Sequence, residues 1–274
     1  MRVLSLGAGV QSSYVYLTES LDYAIFADTQ DEPKAVYDHL AWLIRQGRAP
    51  ILQASKGRLS EHLRKGVNST GQRFVSIPSF TATDNPKKEG RVRRQCTKEY
   101  KTEVVDRVLR RKILKLQPRC RVKKGTLIEM FFGISADEAR RAGRIIDRLK
   151  PSWWIKPRFP LIEKMLTRAD CVRWLQEHVP HPVPRSACVY CPNHSDQEWL
   201  EMQQTDGESW SLAVSVDESL RERGVVFNRE MNQPMFLHRS LQPLITIDFA
   251  RRIESRRPEL PLFTLRDCEG MCGT

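Results

Sequence analysis

The sequence predicts an α/β fold, a doubly wound and mainly parallel sheet, followed by a helical, Cys-containing C-terminal part. Three observations predict it. An apolar strand runs straight into Gly7-Ala8-Gly9-Val10-Gln11-Ser12-Ser13 and a further apolar stretch through Leu17. Short apolar runs then alternate with segments of helical periodicity, the pattern of βαβ units. Past Lys150 the composition changes, with Pro and Trp first and paired cysteines later. These place a nucleotide-binding type of domain over 1–150 and a helical region over 151–274.

Taken in order, Arg2 to Leu6 reads as a short buried strand, the glycine loop as a strand-to-helix turn, and Asp22 to Ala27 as a second strand ending in Asp28-Thr29. Pro33 suits the first turn of a helix, in which Ala35, Val36, His39, Leu40 and Leu43 share one face. Ile51 to Ala54 is a third strand and Leu127 to Ile134 a fourth or fifth. Between them Gln72 to Gln95 reads as a long loop, basic towards its end. A helix capped by Thr97 follows, with Val104, Val105, Val108 and Leu109 inward. Its Arg107, Arg110, Arg111 and Lys112 form a solvated face or, on a bolder reading, an RNA or DNA contact. Pro151 to Pro160 reads as a linker, and a helix is expected from about Thr167 to His178.

Lys and Arg total 45 against 33 acidic residues, a net charge of +12. Such an excess favours polyanions: nucleotides, DNA or RNA. No apolar run approaches the roughly 20 residues needed to cross a bilayer, and the opening residues read as a strand rather than a signal peptide. A cytoplasmic protein without membrane attachment is expected, and in that compartment seven cysteines do not read as a disulfide set.

A loop that holds phosphate needs small residues so that backbone N–H groups can converge, and it gains from hydroxyls at the following helix N-terminus. Gly7, Ala8, Gly9, Gln11, Ser12 and Ser13 form such a loop. It matches neither G-x-x-x-x-G-K-[ST] nor G-x-G-x-x-G. In open parallel sheets ligands bind at the carboxyl ends of the strands, where both this loop and Asp28-Thr29 fall.

Gly7 to Ser12 resembles the S-G-G-x-D-S loop of the PP-loop ATP pyrophosphatase superfamily. Asp28-Thr29-Gln30-Asp31-Glu32-Pro33 is similar to its D-T-G-x-x-P stretch. Arg94-Gln95-Cys96-Thr97-Lys98-Glu99-Tyr100-Lys101 resembles the R-x-C-T-x-x-x-K segment of the PAPS reductase-like family, which includes sulfonucleotide reductases and DNA phosphorothioation-type sulfurtransferases. Gly133-Ile134-Ser135-Ala136-Asp137-Glu138-Ala139-Arg140-Arg141 resembles the family's G-I-x-x-D-E-x-x-R. The four motifs and the cysteines after them span roughly residues 1 to 195. Ala8, Gln11 and Gln30 depart from the pattern, standing for a glycine, the loop aspartate and a glycine. The resemblance implies an adenine nucleotide alpha hydrolase-like fold binding ATP or an adenylyl sulfate, with Mg2+ as a candidate companion of the phosphates. It makes Arg94 and Lys101 anion contacts beside Cys96, with Arg140 and Arg141 near the same pocket.

Cys188-Val189-Tyr190-Cys191 is a C-x-x-C, which serves as half a zinc site, as a redox pair, or as neither. The resemblance implies that Cys96, Cys188 and Cys191 hold a [4Fe–4S] cluster, with Cys272 or Cys268 of the tail as fourth ligand. Zinc is the alternative metal, and His194 an alternative ligand. Cys171 reads as core packing, Cys120 as a bystander and His39 as structural. The expected activity is ATP-dependent sulfur incorporation into a nucleic acid, DNA or tRNA, with a sulfur donor protein as a further partner. A sulfonucleotide reductase using a cysteine thiolate is the alternative, and a non-catalytic nucleotide- or nucleic-acid-binding protein the second.

Overall fold

The structure, a computed structural model, describes residues 1–71, 77–83, 89–222, 225–226, 229–230 and 233–255. Cys268, Cys272, Lys87 and Lys88 lie outside the described residues. The chain groups into two compact units: Met1–Lys56 with Thr97–Ala187, and Gly57–Cys96 with the residues that follow Ala187, described to 255.

The first unit is built on a parallel sheet of five strands: β1 (Arg2–Leu6), β2 (Tyr23–Asp28), β3 (Ile51–Ser55), β4 (Ile128–Phe132) and β5 (Ile155–Arg158). Their order is β3-β2-β1-β4-β5, and every pairing is parallel. The central strands are buried on both faces, so they read as nearly continuous apolar runs. Leu4, Leu6, Phe26 and Phe131 pack on one side with the helices Val10–Thr18, Lys34–Gln46 and Arg168–His178. Val3, Ile25, Met130 and Phe132 pack on the other, with residues from 105–114 and the helix Ala139–Leu149. Helices on both faces of an all-parallel sheet agree with a doubly wound fold.

The expected linker at 151–160 is corrected: Ile155–Arg158 is the fifth strand, with Met130 opposite Pro157, and Trp154 is buried. Proline is tolerated there because β5 is an edge strand, where a missing N–H need not break a ladder. The helix over 97–113 is α-helical only at Glu103–Val108 and widens to π turns at Thr97–Thr102 and Leu109–Ile113. The helix Arg168–His178 starts on a capping box, with the Thr167 hydroxyl accepting from the Asp170 N–H at 3.2 Å.

In the second unit the expected long loop carries two short strands, Phe80–Thr81 and Gly90–Arg91, which form an antiparallel sheet with Met235–Phe236. Two-residue strands are too short to show alternation. The unit's helices include Leu59–Lys65, Asp196–Thr205 and Gly207–Glu222. Buried Asp217 binds it together, accepting from the N–H groups of Leu237 (2.9 Å) and Leu244 (2.8 Å). His238 is structural in the same way, bonded through Nε2 to Asp196 at 2.8 Å.

Among the described residues no helix is long and apolar enough to cross a membrane.

Candidate functional site

The direction of strand addition reverses between β1 and β4, and in open parallel sheets ligands bind outside the carboxyl ends at such a switch point. Gly7 to Gly9 leave β1 there. The Ser12 hydroxyl accepts from the N–H groups of Gly7 and Gly9, both at 3.2 Å, so the loop's donors converge on one point. A Cβ at Gly7 would lie 3.2 Å from the Ser186 Oγ, and one at Gly9 3.1 Å from the Ser186 Cβ, so close packing of 184–186 also requires small residues. Ala8 adopts the left-handed conformation (φ 53°) with its methyl fully buried, leaving only its backbone to face a ligand. Ser13 is buried too, its hydroxyl 2.8 Å from the His39 Nε2, so the fold uses that hydroxyl internally.

Gln11 joins the loop after β1 to the motif after β4. Its side-chain amide donates to the Glu138 carboxylate at 2.7 Å and the Ser135 hydroxyl at 3.3 Å, and its carbonyl accepts from Arg168 at 2.9 Å. Arg141 also reaches Glu138, at 2.7 Å. The two loops touch backbone to backbone: a Cβ on Gly133 would lie 2.6 Å from the Ser12 nitrogen. Arg140 makes no such contact and is exposed. Arg168 gave no signal in the sequence, because it lies in no motif and far along the chain.

Asp28, at the end of β2, accepts from the Gln30 N–H at 2.7 Å and the Tyr37 hydroxyl at 2.9 Å. Burial and then the Asp28 charge raise the Tyr37 pKa, which keeps that phenol a donor. Thr29 is buried and donates to Glu32 at 3.3 Å. Lys101 binds the same Glu32 oxygen at 3.1 Å, with the Glu32 side chain 1% exposed and that of Lys101 13%. Glu32 is the residue that sequence reasoning passed over; its position inside the D-T-G-x-x-P-like stretch was the available signal.

Between the sheet and the helix over 97–113 lies a cavity of about 260 Å³, floored by Ser5, Met130 and Phe132, walled by Leu109, and reaching Gly7 and Lys101. An apolar chamber with a few polar groups at its rim is what a small-molecule site provides.

The remaining expected site residues belong to the second unit. Arg94 and Cys96 are half-buried there, as are Cys188 and Cys191. The C-x-x-C is a tight turn: the Cys191 N–H donates to the Cys188 carbonyl at 2.9 Å, and the His194 N–H to the Cys191 carbonyl at 3.1 Å. His194 Nε2 lies 3.0 Å from the Cys188 carbonyl and donates to it, which secures the turn. Among the described residues no three His, Cys, Asp or Glu side chains assemble into a metal-binding group. The turn alone offers two thiols, fewer than a cluster or structural zinc needs. Cys171 is buried, and its thiol pKa is pushed up to about 12 by burial, then by Asp170 and Asp137, as suits a core residue. Cys120 is exposed.

Comparison with protein-family models, with curated proteins and with solved structures finds no match.

Proposed function

We propose that the chain is a PAPS reductase-like PP-loop enzyme that binds an adenine nucleotide at the carboxyl ends of β1, β2 and β4. The carrying observation is convergence: the glycine-loop donors, Lys101 with its buried partner Glu32, and an apolar cavity all border one switch point. The Lys101 ammonium binds the phosphates beside the glycine loop, whose shape is set by the Gly7 and Gly9 N–H groups donating to the Ser12 hydroxyl. Glu32 orients Lys101, and Gln11 clamps the loop to Glu138. ATP would supply an adenylyl group to the acceptor with pyrophosphate as leaving group, and an adenylyl sulfate would supply its sulfonyl group to a thiolate with the adenosine phosphate as leaving group.

For the reaction, we favour ATP-dependent sulfur incorporation into a nucleic acid, which the +12 charge supports. Arg94 and Cys96 are the groups proposed to meet the sulfur or its acceptor. A [4Fe–4S] cluster on Cys96, Cys188 and Cys191 needs a third thiol brought to the C-x-x-C turn, and the described residues do not supply that arrangement.

One observation favours the alternative, reduction of an adenylyl sulfate by a cysteine thiolate. Gln11 is neutral and fully engaged by Glu138 and Arg168, so it is unsuited to holding a metal on a departing pyrophosphate.

Calorimetric titration with ATP and with adenosine phosphosulfate tests the binding site. Lys101→Ala is expected to weaken binding at least tenfold; a wild-type protein that binds neither ligand overturns the proposal. Release of pyrophosphate from ATP, against release of sulfite from the sulfonucleotide, then separates the two reactions.

A further inference from the structure

The amino-terminal edge of the same sheet carries a second concave site. Residues 114–127 lead into β4 and 150–154 lead into β5, and with the end of the helix over 97–113 they enclose about 450 Å³. Arg110, Arg111, Arg119, Arg121 and Trp153 line it. Trp153 is 58% exposed, whereas its neighbour Trp154 is buried at 2%. The Arg110 guanidinium lies 5.3 Å from the Trp154 ring centroid and is held by Asp106 at 3.1 Å. Arg111 is tied to the Leu116 carbonyl at 2.7 Å. Arg119 and Arg121 are exposed, and neither is paired with a carboxylate among the described residues.

From Arg107 to Lys124 the sequence holds nine basic residues and no acidic one. Such a segment repels itself until anions approach, and an exposed tryptophan in its midst offers a flat apolar face. We infer that this cavity is a holding site for single-stranded nucleic acid, with an unpaired base stacked on Trp153 and the flanking phosphates on Arg119 and Arg121. Stacking on an aromatic ring with arginine forks on the backbone is the general chemistry of single-strand binding. A duplex keeps its base faces covered and fits the cavity less well. A membrane surface would favour a flat basic face over a concave one.

The strands separate this edge from the carboxyl ends by about 15 Å, at roughly 3.3 Å per residue. Ser152 lines both this cavity and the one between the sheet and the helix over 97–113, so the site anchors the strand beside that cavity but away from the glycine loop, rather than presenting the reacting atom. Its biological role rests on the nucleic-acid reading of the proposed function, but the binding itself needs no nucleotide in the other pocket.

The test is fluorescence anisotropy with a labelled oligothymidylate of about 12 nucleotides, its duplex, and phosphatidylserine-containing vesicles in competition. Trp153→Ala is expected to weaken single-strand binding about fivefold or more, with Trp153→Phe between it and wild type. Arg119→Ala with Arg121→Ala is expected to reduce the slope of log affinity against log salt by about 1.4, the release from two phosphates. Calorimetric affinity for ATP is expected to stay unchanged in these variants. Unaltered single-strand binding by both variants overturns the inference. So does preference for the duplex, or Trp153-dependent binding to vesicles without binding to the oligonucleotide. Trp153-dependent oligonucleotide binding by a protein that binds neither ATP nor adenosine phosphosulfate would leave this site standing and remove only the nucleotide reading.

Discussion

The Gln11 side-chain amide donates to the Glu138 carboxylate at 2.7 Å, linking residues 127 positions apart across the β1/β4 switch point. The pair gives a physical reason for an amide at a loop position where the resembled family carries an aspartate. Glu138 also accepts from Arg141, and Gln11 accepts from Arg168. An amide can donate to one neighbour and accept from the other, whereas a carboxylate can only accept.

Gln11→Glu is therefore expected to destabilise the fold by about 1–3 kcal/mol, since it removes a buried donor and sets two carboxylates together. Urea denaturation at neutral pH measures the loss. Adding Glu138→Gln restores a donor opposite an acceptor and is expected to recover at least half of it. A Gln11→Glu protein as stable as wild type would sink this account of the loop.

Gly133 and Gly143 are expected to respond to alanine with opposite signs. A Cβ at Gly133 would lie 2.6–2.8 Å from backbone atoms of Gln11 and Ser12, which cannot swing aside as a side chain can. Overpacking of that kind costs about 1–3 kcal/mol, and here it also forces the glycine loop away from β4, so on the proposed nucleotide reading ATP affinity is expected to fall with stability. Nothing lies within 4 Å of a Cβ at Gly143, inside the helix Ala139–Leu149. Gly143→Ala is expected to stabilise by about 0.5–1 kcal/mol. The two urea midpoints decide; equal shifts would contradict the close contact.

Gln30 has φ 62° and is exposed, with its backbone N–H held by Asp28. The left-handed region costs a residue with a Cβ roughly 1–2 kcal/mol, and the Asp28 bond is to backbone and survives substitution. Gln30→Gly is expected to stabilise by about 0.5–1 kcal/mol. Ala8 has a similar φ but a fully buried methyl, worth about 0.8 kcal/mol. The two effects offset there, so Ala8→Gly is expected to be close to neutral. Thermal denaturation of both variants separates the cases, and a destabilised Gln30→Gly would refute the argument from strain.

What the sequence made legible followed the period of its elements. The first four strands of the parallel sheet, the glycine turn and the helix opened by Thr167 announce themselves through apolar runs, small residues or a capping box. Strand β5 did not, because Pro157 and the tryptophans imitate a linker and only the edge position makes the proline tolerable. Phe80–Thr81 pairs across more than 150 residues with Met235–Phe236 and on its other side with Gly90–Arg91, and strands of two residues are too short for a local pattern to mark them. The two units are each discontinuous in sequence, which no linear shift in composition reveals. At the site, the motifs named Gln11, Asp28 and Lys101 and contained Glu32, whereas Arg168 acquires meaning only through the side chain it meets.

His39 was legible as a structural residue, but its partners were not. Its Nε2 lies 2.8 Å from the Ser13 hydroxyl and its Nδ1 2.9 Å from the His181 Nε2, and the side chain is buried. The Ser13 hydroxyl can donate or accept, so a neutral ring satisfies both contacts in either tautomer, and a charged ring would face another imidazole without solvent. Burial first, and His181 second, lower the His39 pKa from 6.5 to about 4. The unfolded chain therefore binds the extra proton between these values. Stability contributed by neutral His39 is complete above about pH 6.5 and is lost as pH falls towards 4, on the order of 3 kcal/mol in all. Because Ser13 opens the helix behind the glycine loop, the loop is expected to loosen over the same range. Urea denaturation across pH 4.5–7.5 measures the slope, and His39→Asn, which does not titrate, is expected to flatten it. Parallel pH profiles for wild type and His39→Asn would show that the proton is taken up elsewhere.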